Sequence, residues 1–342
     1  MEVDPVSLPL ATPLSTATGT IERREGFLVD LENPPGIGEA MPLPGWTESL
    51  EDCREVLETT KSVVRKRGVD AALDELDPSE TPAARHGLDL AIADRHAREA
   101  GQSLAASLDP SPSQSVPVNA TVGDASPEET AERASAAIDA GFETVKLKVG
   151  ARSIGEDVSR VRAVRDAIGP QPEVRVDANA AWTVADARRA IDGLVPLDVS
   201  YIEQPLAADD LDGHAALRDR GVEIALDESL RDVGLDAILD AGAADVLVLK
   251  PMAVGGIRRA RTLALEARQQ HLDPVVTTTV DGVVGRTAAL HLAASLGIER
   301  ACGLATADRL ADDFAPDPAP VSEGRMVVPD ALGIGVDPSL RR

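Results

Sequence analysis

The sequence predicts an α/β protein whose larger part is a closed parallel barrel, preceded by a smaller mixed α+β segment. Three observations lead there. Short β-rich runs begin at residues 116, 144, 174, 200, 223, 245, 274 and 301, a spacing of 22 to 30 residues. Between them lie Ala-rich amphipathic segments such as PEETAERASAAIDAG and VADARRAIDGLV, the alternation of βαβ units with parallel strands. Eight such units suit a TIM-type barrel better than an open doubly wound sheet, and no Gly-rich phosphate loop follows the first strand.

The first stretch, to about residue 112, is mixed. REGFLVDLE (24–32) alternates like a strand, and NPPGIGEAMPLPGW reads as the Pro/Gly-rich turn after it. TESLEDCREVLETTKSVVRKRG and TPAARHGLDLAIADRHAREAG read as helices. Thr47 or Ser49 can cap the first, with Glu48, Glu51 and Asp52 near the positive end of its dipole. DPSPSQS (109–115) has the composition of a linker. The expected division is 1–112, then a barrel over 113–320, then a segment 321–342. Its last strands, in RMVVPDALGIGVD (325–337), are expected to return to the N-terminal domain.

Composition narrows the function. Asp and Glu number 58 against 34 Lys and Arg, a formal charge of −24, which argues against nucleic-acid or anionic-membrane partners. The acidic excess is dispersed, with few aromatics and only five lysines, and resembles the surface of a halophile's protein. Strong salt would screen its self-repulsion, the Debye length being about 3 Å at 1 M. Cys53 and Cys302 form no framework, the N-terminus lacks a signal-peptide pattern, and no apolar run approaches the ~18 residues of a membrane span. The expectation is a cytoplasmic protein acting on a small molecule. Self-association into a homo-oligomer is left open.

The chemistry is written at the strand ends. TVKLKVG places Lys146 and Lys148 on one face of a strand, near its C-terminal end, where barrel enzymes place their chemistry. Mutual repulsion and partial burial would lower a lysine pKa and make one of them a usable base. The next strands offer Asp177 in VRVDAN, Glu203 in SYIEQP, Asp227 in IALDES and Lys250 in LVLKP. Arg175 and Asn179 share the face of Asp177. Three converging carboxylates would repel strongly without a cation between them. Oxygen donors with no His or Cys favour Mg²⁺, or Mn²⁺ in its place, over zinc. Lysines on each side of a metal-held carboxylate point to proton abstraction α to that carboxylate. Taken singly, KxK can be a solvated edge, DxN or EQP a turn, and Asp227 a helix N-cap. In one register they make a site, and three of the five lysines fall there. Arginine cannot replace a lysine base, because a guanidinium stays protonated.

KLK, VDANAAW, IEQP, LDES and LKP, in this order and spacing, resemble the muconate-lactonising subgroup of the enolase superfamily over nearly the whole chain. The resemblance implies a modified (β/α)7β barrel with an N-terminal α+β capping domain completed by the C-terminal segment. It implies Asp177, Glu203 and Asp227 as Mg²⁺ ligands and Lys148 and Lys250 on opposite faces of the substrate. Lys146 would tune Lys148, with Asn179 and Glu228 behind the ligands.

Within that subgroup, GIGEAMPLPGWTESLE (36–51), VNATVG (118–123) and GLATADRLADD (303–313) resemble segments of the o-succinylbenzoate synthases, with Ala305 where those have Asp. This implies syn elimination of water from a cyclohexadiene hydroxy-acid in menaquinone biosynthesis. Lys148 would act as base and then acid, while Lys250 would stabilise the enolate. Racemisation of N-acylamino acids, dipeptide epimerisation or cycloisomerisation on the same residues is the alternative. A Schiff-base aldolase using Lys250 would leave the three carboxylates unexplained, and a non-catalytic binding protein would leave the lysines so. For substrate contacts, LSTATGTIERREG (14–26) is expected to close over the mouth, with Arg23 or Arg24 meeting a carboxylate. Thr277, Thr278 and Thr279, at the seventh strand end, could bind the succinyl carboxylate through hydroxyls or backbone N–H groups, although three threonines are also ordinary strand composition. Arg175 is expected to orient Lys148 or a neighbouring carboxylate. The five histidines read as surface or packing residues.

Overall fold

The fold is read from a computed structural model that describes residues 1–16 and 19–337. Of the expected mouth loop 14–26, Ala17 and Thr18 therefore lie outside the described residues. The remainder belongs to a long antiparallel pair, β1 (Glu2–Thr16) and β2 (Gly19–Leu31), rather than to a loop. β1 carries Pro5, Pro9 and Pro13, which hide it from a period-2 reading. It tolerates them because it is an edge strand of its sheet, paired along its length with β2 and otherwise joined only by a bridge from Leu10 to Leu310 among the described residues.

The GIGEA stretch read as turn is a third strand, β3 (Gly36–Ala40), paired with β2. Its glycines serve close approach. A Cβ on Gly38 would stand 1.9 Å from the carbonyl oxygen of Gly87. The helices of this N-terminal layer are α1 (Leu50–Arg67), α2 (Val69–Asp74), α3 (Pro82–Glu99) and α4 (Leu104–Leu108). Ser49 is the N-cap of α1, its hydroxyl accepting the Asp52 N–H. α3 is buried along most of its length, polar residues such as Asp89 and Asp94 included, because it packs on β3 on one side and meets a barrel helix on the other.

Past the 109–115 stretch, β4 (Ser115–Pro117) is followed by β5 (Ala120–Val122), α5 (Pro127–Asp139), β6 (Thr144–Lys148), α6 (Ile154–Ile168), β7 (Glu173–Asp177) and α7 (Val184–Leu194). Then come β8 (Val199–Glu203), α8 (Leu211–Ala215), β9 (Glu223–Leu226), α9 (Glu228–Asp232), α10 (Gly234–Ala241), β10 (Val246–Leu249), α11 (Ile257–Gln269), β11 (Asp273–Val276) and α12 (Val283–Ser295). Strands β5 to β11 form one parallel sheet in sequence order. The eighth run closes it as bridges rather than as a full strand, Cys302 with Val118 and Gly303 with Thr277. Ser126, Ser153 and Thr183 cap α5, α6 and α7, the last two in capping boxes. Val, Leu and Ile from the strands meet Ala-rich helix faces in one continuous core.

The C-terminal segment divides its loyalty. β12 (Val321–Ser322) and β13 (Arg325–Val327) form a hairpin on β4, so the strand expected to join the N-terminal domain lies against the start of the barrel. Only the tail after it reaches the N-terminal layer. Buried Asp94 of α3 accepts the N–H of Ile334 at 2.8 Å and of Ile37 at 3.0 Å, and Arg98 donates to the Val336 carbonyl at 2.8 Å. Among the described residues no helix is long and apolar enough to cross a membrane.

Candidate active site

The parallel register sets the site. Lys148 on β6 stands beside Asp177 on β7, and Asp177 beside Glu203 on β8. Glu203 is beside Ala225 of β9, two residues before Asp227. The three carboxylates are therefore a row across neighbouring strand ends, each almost completely buried.

Three ammonium groups answer them. Lys146 donates to both oxygens of Glu203 at 2.9 Å and lies 3.4 Å from Asp177. Lys148 donates to Asp177 at 2.5 Å and to the Asn179 amide oxygen at 2.7 Å. Lys250, just past β10, donates to Asp227. Lys148 has 38 % of its side chain exposed and Lys250 13 %, so Lys148 is the more open to an incoming molecule.

Electrostatics correct one expectation. Burial does penalise the Lys146 charge, but Glu203 and Asp177 outweigh it and hold the ammonium above its ordinary pKa. A count of lysine–lysine repulsion missed how close the carboxylates come. Burial likewise opposes ionisation of Asp177, yet Lys148 and Lys146 keep its carboxyl below the usual range. Glu203 is pushed up to about 7 by burial and by Asp177, and Asp227 to about 6 by burial, with Lys250 opposing.

Several supports were invisible as motifs. Gln204 is fully buried and its side-chain oxygen accepts the N–H groups of Asp227 (3.0 Å) and Ser229 (3.2 Å), while its amide donates to the Ser229 hydroxyl (2.8 Å). It fixes the loop that presents Asp227. The EQP run was its only signal. Asn179 takes its place between Lys148 and Glu228, its amide donating to Glu228 at 3.1 Å. Asn179, Ala180 and Gln204 have φ of 43°, 62° and 39°, so left-handed backbone is concentrated at this mouth.

Other expected contacts are placed elsewhere. Arg175 shares the parity of Asp177 but lies lower in the barrel. It pairs with Glu173, donates to the Ala301 carbonyl at 2.6 Å and touches neither Lys148 nor the three carboxylates. Arg23 is bound to Ser7 on the outer hairpin. Arg24 is buried, donating to the carbonyls of Met41 (2.7 Å), Pro42 (2.9 Å) and Val280 (3.3 Å), which leaves it no role at a substrate carboxylate. The threonine hydroxyls are engaged within the protein, Thr277 donating to the Gly303 carbonyl, Thr279 to Asp281, and Thr278 paired with Thr306. His86, His214 and His291 are buried as packing residues.

Glu39 was also missed. Wholly buried on β3, it accepts N–H bonds from Gly282 (2.7 Å) and Gly285 (2.8 Å) at the start of α12. Burial and Asp281 push its carboxyl up to about 8 against the pull of those amides. It pins the N-terminal layer to the segment carrying the threonines.

The donor chemistry fits a hard divalent cation. The row is all carboxylate oxygen, and Oε2 of Glu228, the residue after Asp227, is buried with no hydrogen-bond partner among the described residues. With the ammonium groups on these oxygens, no group of three His, Cys, Asp or Glu among the described residues stands ready to hold a metal.

Comparison with known proteins decides the family. The family described as enolase C-terminal domain-like matches residues 129–342. The chain belongs to the enolase superfamily of enzymes. This superfamily member is 45 % identical over 208 residues to an o-succinylbenzoate synthase of Thermobifida fusca, a match spanning 59 % of this chain and 63 % of that one. It is 31 % identical to an N-succinylamino acid racemase of Amycolatopsis sp, across 99 % of this chain and 94 % of the relative. Its fold superposes on the dipeptide epimerase of Enterococcus faecalis V583, complexed with Mg and the dipeptide L-Leu-L-Tyr, with a TM-score of 0.85, 26 % identity and 98 % of both chains covered. The N-terminal layer is the capping domain of this superfamily fold.

Proposed function

We propose that the chain is an o-succinylbenzoate synthase, removing water from 2-succinyl-6-hydroxy-2,4-cyclohexadiene-1-carboxylate. The observation that carries the chemistry is the pair Lys148 and Lys250, held at the two ends of a buried row of three carboxylates. The 45 % identity to a synthase favours this product over the others the superfamily makes.

Asp177, Glu203 and Asp227 would hold Mg²⁺, which when bound offsets the charge that builds on the substrate carboxylate. Lys148, acting from its neutral amine form, takes the proton α to that carboxylate, and the electron pair left behind is the enolate. The enolate's electron pair then forms the ring double bond as the C–O bond breaks, and the Lys148 ammonium returns its proton to the departing hydroxyl. Water leaves and the ring becomes aromatic. Lys250 stays an ammonium and stabilises the enolate charge across the ring. Lys146 keeps Glu203 and Asp177 compensated in the interior. The dispersed acidic surface makes strong KCl the appropriate medium for the assay.

A second reading is racemisation of N-succinylamino acids, favoured by the end-to-end match with a racemase. The two are separated by presenting both substrate types. Loss of the diene's ultraviolet absorbance, with kcat/KM at least roughly tenfold above that for deuterium incorporation into N-succinylamino acids in D₂O, is the expected result; tenfold corresponds to about 1.4 kcal/mol of preference. The reverse order would replace the synthase by the racemase.

A further inference from the structure

We propose that Trp46, on the capping domain, is a positioning residue that holds the Lys250 ammonium in place. This rests on the reading of Lys250 as a catalytic group. The Lys250 Nζ stands 3.4 Å from the centroid of the Trp46 ring, over its face, while donating to Asp227. The Arg231 guanidinium lies 5.3 Å from the same centroid and is itself paired with Asp232. An indole face attracts cations through its quadrupole, and the attraction grows where water is scarce.

The ring is presented by a closed turn. The N–H groups of Trp46 and Thr47 donate to the Leu43 carbonyl at 2.9 and 3.0 Å, and the Leu43 N–H donates to the Thr47 hydroxyl at 2.9 Å. Buried Arg24 holds the start of that turn through the carbonyls of Met41 and Pro42 and ties it to the barrel through Val280. Val280 has φ 62°, costly for a β-branched residue, and this contact helps hold it there. Arg24 therefore serves the site at one remove, by fixing the loop that carries Trp46.

Lysine is a compact charge on a flexible stem. Asp227 restrains the ammonium from one side only, and the indole supplies a second restraint. Next to the ring is a cleft of about 720 Å³ between capping domain and barrel, lined by Gly45, Trp46, Leu230, Arg231 and Val254. Without the indole, water from this cleft would reach the ammonium and loosen it.

Two variants and one spectroscopic signal test this. Trp46→Leu removes the aromatic face while keeping an apolar side chain. It should lower kcat roughly tenfold or more, with KM within about threefold, and Trp46→Phe should restore most of the loss. Wild-type kcat in Trp46→Leu, or equal damage from Trp46→Phe, would overturn the proposal. The chain has two tryptophans, so in a Trp182→Phe background the emission reports Trp46 alone. Lys250→Met in that background should shift the emission, and an unchanged spectrum would also overturn the proposal. If the wild type turns over neither substrate class, the proposed function fails, while the emission still judges the lysine–indole contact.

Discussion

Replacing Lys148 with alanine is expected to lower kcat by roughly 10³- to 10⁴-fold, the scale of a lost general base that also serves as the acid. Lys148→Arg should be as inactive. A guanidinium keeps the positive charge beside Asp177 and Asn179 but cannot take up the substrate's proton. The pair thus separates base chemistry from charge compensation. Steady-state kinetics on the cyclohexadiene acid measure both. Activity within tenfold of wild type in Lys148→Ala would remove Lys148 from the mechanism.

The second large effect is on stability. Lys146 is the cation for both oxygens of Glu203 and stands near Asp177, all three side chains being nearly inaccessible. Lys146→Met keeps the length of the side chain and deletes its charge. Removing one partner of a buried ion pair strands the other, so a loss of about 3–5 kcal/mol is expected. For a chain of this length that corresponds to a fall in Tm of roughly 4–7 °C. Magnesium should narrow the gap, because it offers the same oxygens another cation. Calorimetry with and without Mg²⁺ measures the difference. A variant as stable as wild type in the absence of magnesium would show that the row needs no ammonium there.

Much of this was legible in the sequence because parallel strands repeat their register. Once TVKLK, VRVD and SYIE are recognised as neighbouring strands, Lys148, Asp177 and Glu203 fall in one register without further information, and Lys250 follows the end of β10, two strands further on. The same logic failed for Arg175. Strand parity gives the face but not the depth, and two residues down the strand is about 6–7 Å away from the mouth. There Arg175 finds Glu173 and the ring of Tyr201, 4.8 Å from its guanidinium.

Contacts between the capping domain and the barrel were not legible. The seat of Glu39 on the amides of α12, the position of Trp46 over Lys250 and the burial of Arg24 all join segments far apart in the chain. No local period encodes such pairings. GIGEA was misread for a related reason: glycine marks a turn when read locally, whereas here it admits a helix against a strand. β1 was lost to its prolines, which an edge strand can carry and a central one cannot.

The most direct test of the central claim follows the diene absorbance of the cyclohexadiene acid in strong KCl with Mg²⁺, then with excess EDTA, then with Mg²⁺ restored. Turnover that disappears with the chelator and returns with the metal is the predicted result, because Asp177, Glu203 and Asp227 are then acting together as one cation site. Turnover indifferent to EDTA, or none at all in protein that circular dichroism shows to be folded, would contradict it.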